Sequence, residues 1–476
     1  MPRAPSAQRR CAGPHSCYAG AVQAPPEPVV TRPTLGQLLG LAWPVVVTRS
    51  AQVVVGFTDA AMVARLGESE LAATTAGATN VFNVLILPMG VAFIVSTFSS
   101  QRVGAGDAAG ARRYGFYGLV LAALAGLLCL AAIPAAGTLV EAFDYAPDVA
   151  TMMTAYLVYR LPSGGFAIGL EALGNYYNGL GNTRLPMAAQ VVAMVANVAL
   201  NWVLIFGNLG LPAMGVTGAA LASSIATLLG FVFLLACFLL GVGQSTRASP
   251  RLAWAELGQM LKIGIPSGLN WFVEFTAFSF FVNVVVAGLG TSALAAMMAV
   301  LQLNSISFMP AFALASAGAI FVGQAIGAKR HDDVGRTVRL TFGAAAAWQG
   351  AVGLAYLLVP TLLFSVFLKE GTDQSGFLEV GVRILMLSAA WQLFDAASMV
   401  VAEALRAAGD TAFTFWVRAG IAWGVFAPGA WWSVHRQGAG DVVAAAWLLL
   451  YLVLLAIAMF LRFRSGRWRS IDIGVV

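Results

Sequence analysis

From Thr34 onward, long apolar runs alternate with short polar breaks, and the runs have the length of membrane-crossing helices. A spanning helix needs about 20 largely apolar residues. Cut at glycine, proline and charge signals, the chain is expected to hold twelve spans: 36–64, 71–100, 115–137, 149–173, 186–206, 216–242, 263–288, 294–322, 340–367, 378–404, 412–432 and 441–461. Several are longer than the bilayer requires and would tilt or run past its surface. Residues 1–33 are rich in Pro, Ala and Arg, with no apolar stretch after the charges. They read as a disordered tail rather than a secretory signal peptide.

The basic residues test this layout. With the N-terminus inside, the inner tails and loops hold twenty Lys and Arg, from Arg3 to Arg469, and the outer loops hold only Arg65, Lys369 and Arg436. Cytoplasmic loops carry such an excess, so the sequence places both termini in the cytoplasm. One span more or fewer would scramble the asymmetry.

The chain also repeats itself. Trp43-Pro44 answers Ile265-Pro266, and Pro88 answers Pro310, both at an offset of 222. Leu71-Ala72-Ala73 matches Leu294-Ala295-Ala296, and the stretch 101–105 (QRVGA) matches 324–328 (QAIGA), both at 223. Gly181-Asn182-Thr183 returns as Gly409-Asp410-Thr411 at 228. A duplicated six-helix unit has both copies starting on the same side, so the repeats are parallel. Such lobes hold a substrate site between them and open it alternately to either side. The expected division is a tail (1–33), an N-lobe of helices one to six (34–243), a polar cytoplasmic linker (244–262), a C-lobe of helices seven to twelve (263–464) and a cytoplasmic tail (465–476).

Composition removes the other classes. Of 476 residues, 59% are apolar and only 10% are charged, against about 25% charged in soluble proteins. That excludes a soluble enzyme and a nucleic-acid reader, and the net charge of +6 reflects inner loops rather than an anionic partner. His15, His331 and His435 fall in tail or loop segments, and Cys11, Cys17, Cys129 and Cys237 form no cluster. A membrane enzyme would need a nucleophile set or metal site. The expectation is therefore no enzyme, no resident metal and no cofactor.

Charges inside spans carry the chemistry, because each costs at least about 2.5–3.5 kcal/mol at a helix centre. Asp59, Glu274 and Asp395 each lie deep in a span with apolar neighbours on both sides. Such a carboxylate must hold a proton, a metal ion or a cationic substrate, or else pair with a membrane arginine, for which Arg49, Arg160, Arg383 and Arg418 are available. If one site holds a coupling ion or a substrate but not both, their movements are coupled. Glu171 and Glu403 sit near helix ends and read as structural. Asn197 and Asn201, four apart, share one helix face, where they either join helices or offer oxygens to a cation. Asn304 poses the same choice. Trp391, one turn before Asp395, either packs or holds an organic cation by cation–π attraction.

Several stretches resemble one family, the multidrug and toxic compound extrusion (MATE) transporters. GFTDAAMVARLG (56–67) is similar to the end of that family's first helix; NGLGNTRLPM (178–187), NVALNWVLIFG (197–207) and LPAMGVTGAALAS (211–223) resemble its helix-four to helix-six signatures. GIPSGLNWFVEFTAF (264–278) and FDAASMVVAEALRAAGDT (394–411) resemble its helices seven and ten. The likeness runs in order from Leu35 to the end of the twelfth span and is most specific in the first lobe, with NorM-like bacterial character. It implies an all-α fold of twelve transmembrane helices in two six-helix lobes around a central cavity. It also implies export of small organic, often cationic, compounds in exchange for Na+ or H+, by a monomer in the bacterial inner membrane. Under that resemblance the coupling residues are Asp59, Glu274, Asp395, Asn197, Asn201 and Asn304. Transported Na+ would sit at Glu274 and Asp395, and Trp391 and Asp59 would face the substrate cavity. A lipid-linked precursor flippase of the wider superfamily is the alternative; it would want a cavity rich in free Arg and Lys.

Overall fold

A computed structural model describes residues 32–141, 145–248, 251–367 and 375–474. The expected tail 1–31 and Lys369 lie outside the described residues. Twelve rods follow in chain order: α1 (Leu35–Val63), α2 (Glu68–Gly104), α3 (Ala108–Glu141), α4 (147–179), α5 (Arg184–Phe206), α6 (Gly215–Leu240), α7 (Trp254–Leu289), α8 (Thr291–Gly327), α9 (His331–Leu358), α10 (Ser375–Ala407), α11 (411–437) and α12 (Asp441–Arg464). Among the described residues ten of these are long and apolar enough to cross a membrane by length and composition, some with a local 3-10 or π turn such as Ile133–Ala135 in α3 and Phe281–Val286 in α7. The other two are interrupted. A 3-10 turn at Leu161–Ser163 divides α4 around Pro162, and a π turn at Ala422–Phe426 precedes Pro428 in α11. Proline lacks the N–H that a regular helix would use, so the backbone tightens or widens beside it.

Local chemistry sets the other ends and bends. Thr34 caps α1 in a reciprocal pair with Gln37: the Thr34 hydroxyl accepts from the Gln37 N–H, and the Gln37 side-chain oxygen accepts from the Thr34 N–H at 2.9 Å. Pro44, Pro88, Pro266 and Pro310 lie inside α1, α2, α7 and α8, at matched places in the two repeats. Two sequence-derived boundaries move. Residues 254–262, expected as the end of a polar linker, form the first turns of α7, where Leu257 and Met260 are buried. Residues 467–474, expected as part of a cytoplasmic tail, turn back against the bundle. Trp468 and Ile473 are buried, and Arg102 of α2 donates to the Gly474 carbonyl at 3.2 Å. Both changes have one cause: apolar side chains in these polar stretches find a bundle surface to cover.

The two lobes have their own cores, but those cores are not sealed from each other. Leu38, Ala42 and Phe93 from α1 and α2 pack into the C-lobe core. Leu257, Met260 and Ile263 from α7, with Ile473, pack into the N-lobe core. Glycines allow α2 to meet α7 backbone to backbone: a Cβ on Gly90 would stand 2.6 Å from the Gly268 Cα.

At the end rich in Arg and Lys, the matched repeat segments meet each other. A Cβ on Gly104 would lie 2.0 Å from the Gln324 carbonyl oxygen, and one on Gly327 would lie 1.9 Å from that of Gln101. The contact is self-complementary because the residues making it are the same residues of two copies. Gln101 donates to the Ala407 carbonyl at 2.7 Å, and Arg406 donates to the Phe93 carbonyl at 3.0 Å and the Ser96 hydroxyl at 3.1 Å. This end is closed between the lobes.

A large side chain at this seam must force the lobes apart. Gly104→Leu and Gly327→Leu should each penalise the closed arrangement by about 1–3 kcal/mol, the usual cost of overpacking. Oxidative cross-linking of cysteines placed at 100 and 323, in a background lacking the native cysteines, should fall about tenfold in either variant. Unchanged cross-linking would show that the seam does not control closure.

Candidate functional site

Two polar sites are built into the helices, one in each lobe. In the N-lobe, α1 carries Asp59 toward α5 and α6. Asn201 donates to Asp59 Oδ1 at 2.5 Å and Ser223 donates to Oδ2 at 2.8 Å. Asn197 donates to the Ser223 hydroxyl at 2.9 Å, and its own side-chain oxygen accepts from Asn201 at 3.1 Å. The four-residue spacing of the asparagines puts both on the inner face of α5, where both are fully buried. Among the described residues the carboxylate's hydrogen bonds thus come from neutral donors, and the buried Asn201 Oδ1 keeps no partner.

The C-lobe encloses a cavity of about 610 Å³ walled by α7 to α12 and covered on one side by Phe82 and Ile86 of α2. Glu274, Asn304, Trp391 and Asp395 all line it, together with Gln349, Gln392, Arg418 and Tyr451. Its remaining wall is mostly apolar and includes the aromatic rings of Trp271, Phe275, Phe308 and Phe312. Glu274 of α7 forms an ion pair with the buried Arg418 of α11. Gln349 of α9 donates to Asp395 Oδ2 at 2.8 Å, and Asp395 has no ion-pair partner among the described residues. Gln392 bridges α10 to α8: it donates to Asn304 Oδ1 at 2.6 Å and accepts from Ser307 at 2.7 Å. Asn304 spends its own N–H on the Val300 carbonyl at 2.9 Å. Trp391 is 5% exposed and belongs to the C-lobe core as well as lining the cavity.

The sequence-derived candidates therefore separate into two groups. Asp59, Asn197 and Asn201 form one network; Glu274, Asp395, Asn304 and Trp391 surround another space. Asp59, expected to face a substrate cavity, does not line this C-lobe cavity; Asn201 and Ser223 hold its two oxygens on the N-lobe side. Of the membrane arginines, Arg418 takes Glu274, and Arg49 takes Glu171 at 3.1 Å while lying over the Phe93 and Phe312 rings. Arg383 sits at a helix end with Glu379 and Asp441, and Arg160 bonds Ser163. Glu403 pairs with Arg406. Sequence reasoning missed Ser223, Gln349 and Gln392. Gln349 had a signal, a lone amide in the apolar run AAAAWQGAV; Ser223, a small hydroxyl among small residues, had none.

Known proteins place this geometry. The MatE family model matches residues 44–203 and 266–432, one copy in each lobe. "Probable multidrug resistance protein NorM" of Chromobacterium violaceum is 30% identical over 453 residues, covering 90% of this chain and 93% of that protein. "Multidrug resistance protein PmpM" of Pseudomonas aeruginosa is 28% identical over 419 residues, covering 83% of each. A solved structure described as the outward-facing conformation of a multidrug resistance MATE family transporter of the MOP superfamily superposes with a TM-score of 0.82 at 19% identity, covering 93% of this chain and 98% of that one. That likeness supports the fold: an all-α membrane protein of two parallel six-helix repeats. With a family-model copy in each repeat and a NorM relative matched along nearly its whole length, the chain belongs to the MatE family, the NorM-like MATE transporters, which are transporters and not enzymes.

Proposed function

We propose that this protein is a secondary active antiporter that exports small organic cations from the bacterial cytoplasm in exchange for Na+ or H+. The observation that carries this reading is Asp395, a carboxylate without an ion-pair partner among the described residues, in a cavity whose wall includes several aromatic rings. A cation satisfies that charge, and the aromatic faces attract it further. The relatives' names, multidrug resistance proteins, agree with export.

In this reading the coupling ion competes with substrate at Asp395, the second-lobe carboxylate left open, while Glu274 contributes through its ion pair with Arg418; Asp59 with Asn197 and Asn201 forms a second ion-sensitive point in the first lobe. Asn304 holds the cavity wall through Gln392. The closed seam between Gln101–Gly104 and Gln324–Gly327 is the inner gate of alternating access, so the described conformation faces outward. Inward movement of one coupling charge down the membrane potential supplies about 2.3 kcal/mol per 100 mV. One chain holds both lobes and the whole cavity, so a monomer suffices. A flippase for phosphate-bearing lipids is disfavoured, because both arginines facing the cavity are already paired with carboxylates.

The basic end lies in the cytoplasm of the producing cell, with both termini there. A green fluorescent protein fused after Arg464 should therefore fluoresce and an alkaline phosphatase fused at the same place should stay inactive. The opposite pattern would invert the topology and with it the direction of transport.

Transport itself is measured in proteoliposomes loaded with a fluorescent organic cation, under an imposed Na+ gradient or an imposed pH gradient. One of the two should drive efflux, and the Glu274→Gln, Asp395→Asn double variant should lose at least about tenfold of the gradient-driven rate, equivalent to ~1.4 kcal/mol. Full activity in that folded variant would remove the second lobe from the coupling mechanism. Asp59→Asn keeps both hydrogen-bonding partners in reach, so it should fold normally yet respond less to the driving gradient.

A further inference from the structure

Among the described residues, five charged side chains line the cavity: Glu274, Asp395, Glu403, Arg406 and Arg418. Arg406 is committed twice, to Glu403 through its Nη2 and, across the lobe boundary, to the Phe93 carbonyl and the Ser96 hydroxyl. Arg418 is committed to Glu274. Three carboxylates against two guanidinium groups leave one negative charge, and geometry places it on Asp395.

A second, independent feature marks the same spot as a binding place. Gln349 is 1% exposed and uses its N–H on Asp395, yet its Oε1 has no partner among the described residues. The Tyr451 hydroxyl is also buried without a partner, and both groups line the cavity. Buried polar atoms in native proteins are nearly always satisfied, by protein or by water or ligand. An amide oxygen and a hydroxyl beside a carboxylate are the donors a cation would use.

We infer that Arg418 is a resident countercharge that fixes the exchangeable content of the cavity at one positive charge, so that the protein selects singly charged organic cations over doubly charged ones of the same shape. This deepens the antiport reading and rests on it. Glu274 already has its cation, tethered to α11. A second mobile charge would find no free carboxylate and would meet the like charge of Arg418 in surroundings that screen poorly. Removing the guanidinium frees Glu274 and raises the capacity of the site to two. Arg418 acts through Glu274, and its role is to set specificity rather than to touch the transported cation.

Ethidium and propidium test this, because they share the phenanthridinium ring system and propidium's N-alkyl arm adds one quaternary ammonium; the change in preference among variants at residues 274 and 418 isolates the charge from the arm's bulk. Equilibrium binding to purified protein, followed by fluorescence, should favour ethidium about tenfold or more. Arg418→Gln should lose or reverse that preference by gaining propidium affinity, and Arg418→Lys should keep it. If Arg418→Gln does not fold, the pair deletion Glu274→Gln, Arg418→Gln decides: it restores a single free carboxylate and should show the ethidium preference again, while Glu274→Gln alone, with no net negative charge left, should weaken binding of both dyes. A structural strut would not follow the charge count in this way. Retained ethidium preference in folded Arg418→Gln, or its absence in the pair deletion, overturns the inference. Asp395→Asn separates it from its parent: ethidium binding equal to wild type in that variant overturns the cavity as the cation site, whereas loss of binding there leaves the parent reading standing whatever Arg418 does.

Discussion

A carboxylate placed among packed membrane helices must be compensated, and the rest of this structure is arranged around how that is done. Burying a charge costs several kcal/mol unless a partner or hydrogen bonds take the place of water. The two lobes answer differently. Asp59 is compensated by amide and hydroxyl donors from α5 and α6, which stabilise the anion without cancelling it. Glu274 is compensated by a full opposite charge. Asp395 receives a single amide and stays open. The same carboxylate group thus has three electrostatic settings in one chain, set by what the neighbouring helices present.

Duplication explains why such different sites can coexist. The repeat fixes the backbone scaffold, with prolines bending α1, α2, α7 and α8 in register and glycines letting α2 approach α7 and α8 closely. The side chains lining the scaffold have diverged freely. Where the copies must meet each other, at Gln101–Gly104 against Gln324–Gly327, the sequence stays matched, because only small residues permit carbonyl-to-Cα distances of that kind. Where each copy builds its own polar site, nothing ties the two together. The seam is symmetric, and the chemistry is not.

Closure at the basic end also recruits parts outside the twelve rods. The 467–474 segment passes from α12 to the N-lobe, burying Ile473 there, and the first turns of α7 do the same from the other direction. Arg406 ties α10 to α2 through a carbonyl and a hydroxyl. Each of these contacts must break if the lobes are to separate at this end, so the stability of the closed form is spread over hydrogen bonds, apolar burial and close backbone packing rather than stored in one lock.

The sequence by itself determined the twelve-helix layout, the two parallel repeats and the identity of the buried acids. Each follows from a local or periodic property: apolar run length against bilayer thickness, matched residues at a near-constant offset, and the rarity of charge in a spanning helix. It also paired Asn197 with Asn201, because helical spacing alone puts them on one face. The tertiary structure decided the rest. Whether Glu274 is open or paired depends on Arg418, far along the chain on another helix, and no periodicity within either segment encodes that meeting. Gln349 and Ser223 became site residues only because α9 and α6 pack where they do. Asp59 has its partners on two other helices for the same reason. Local sequence specifies which groups are costly to bury; the packing of distant helices specifies which of them are satisfied and which remain free to bind.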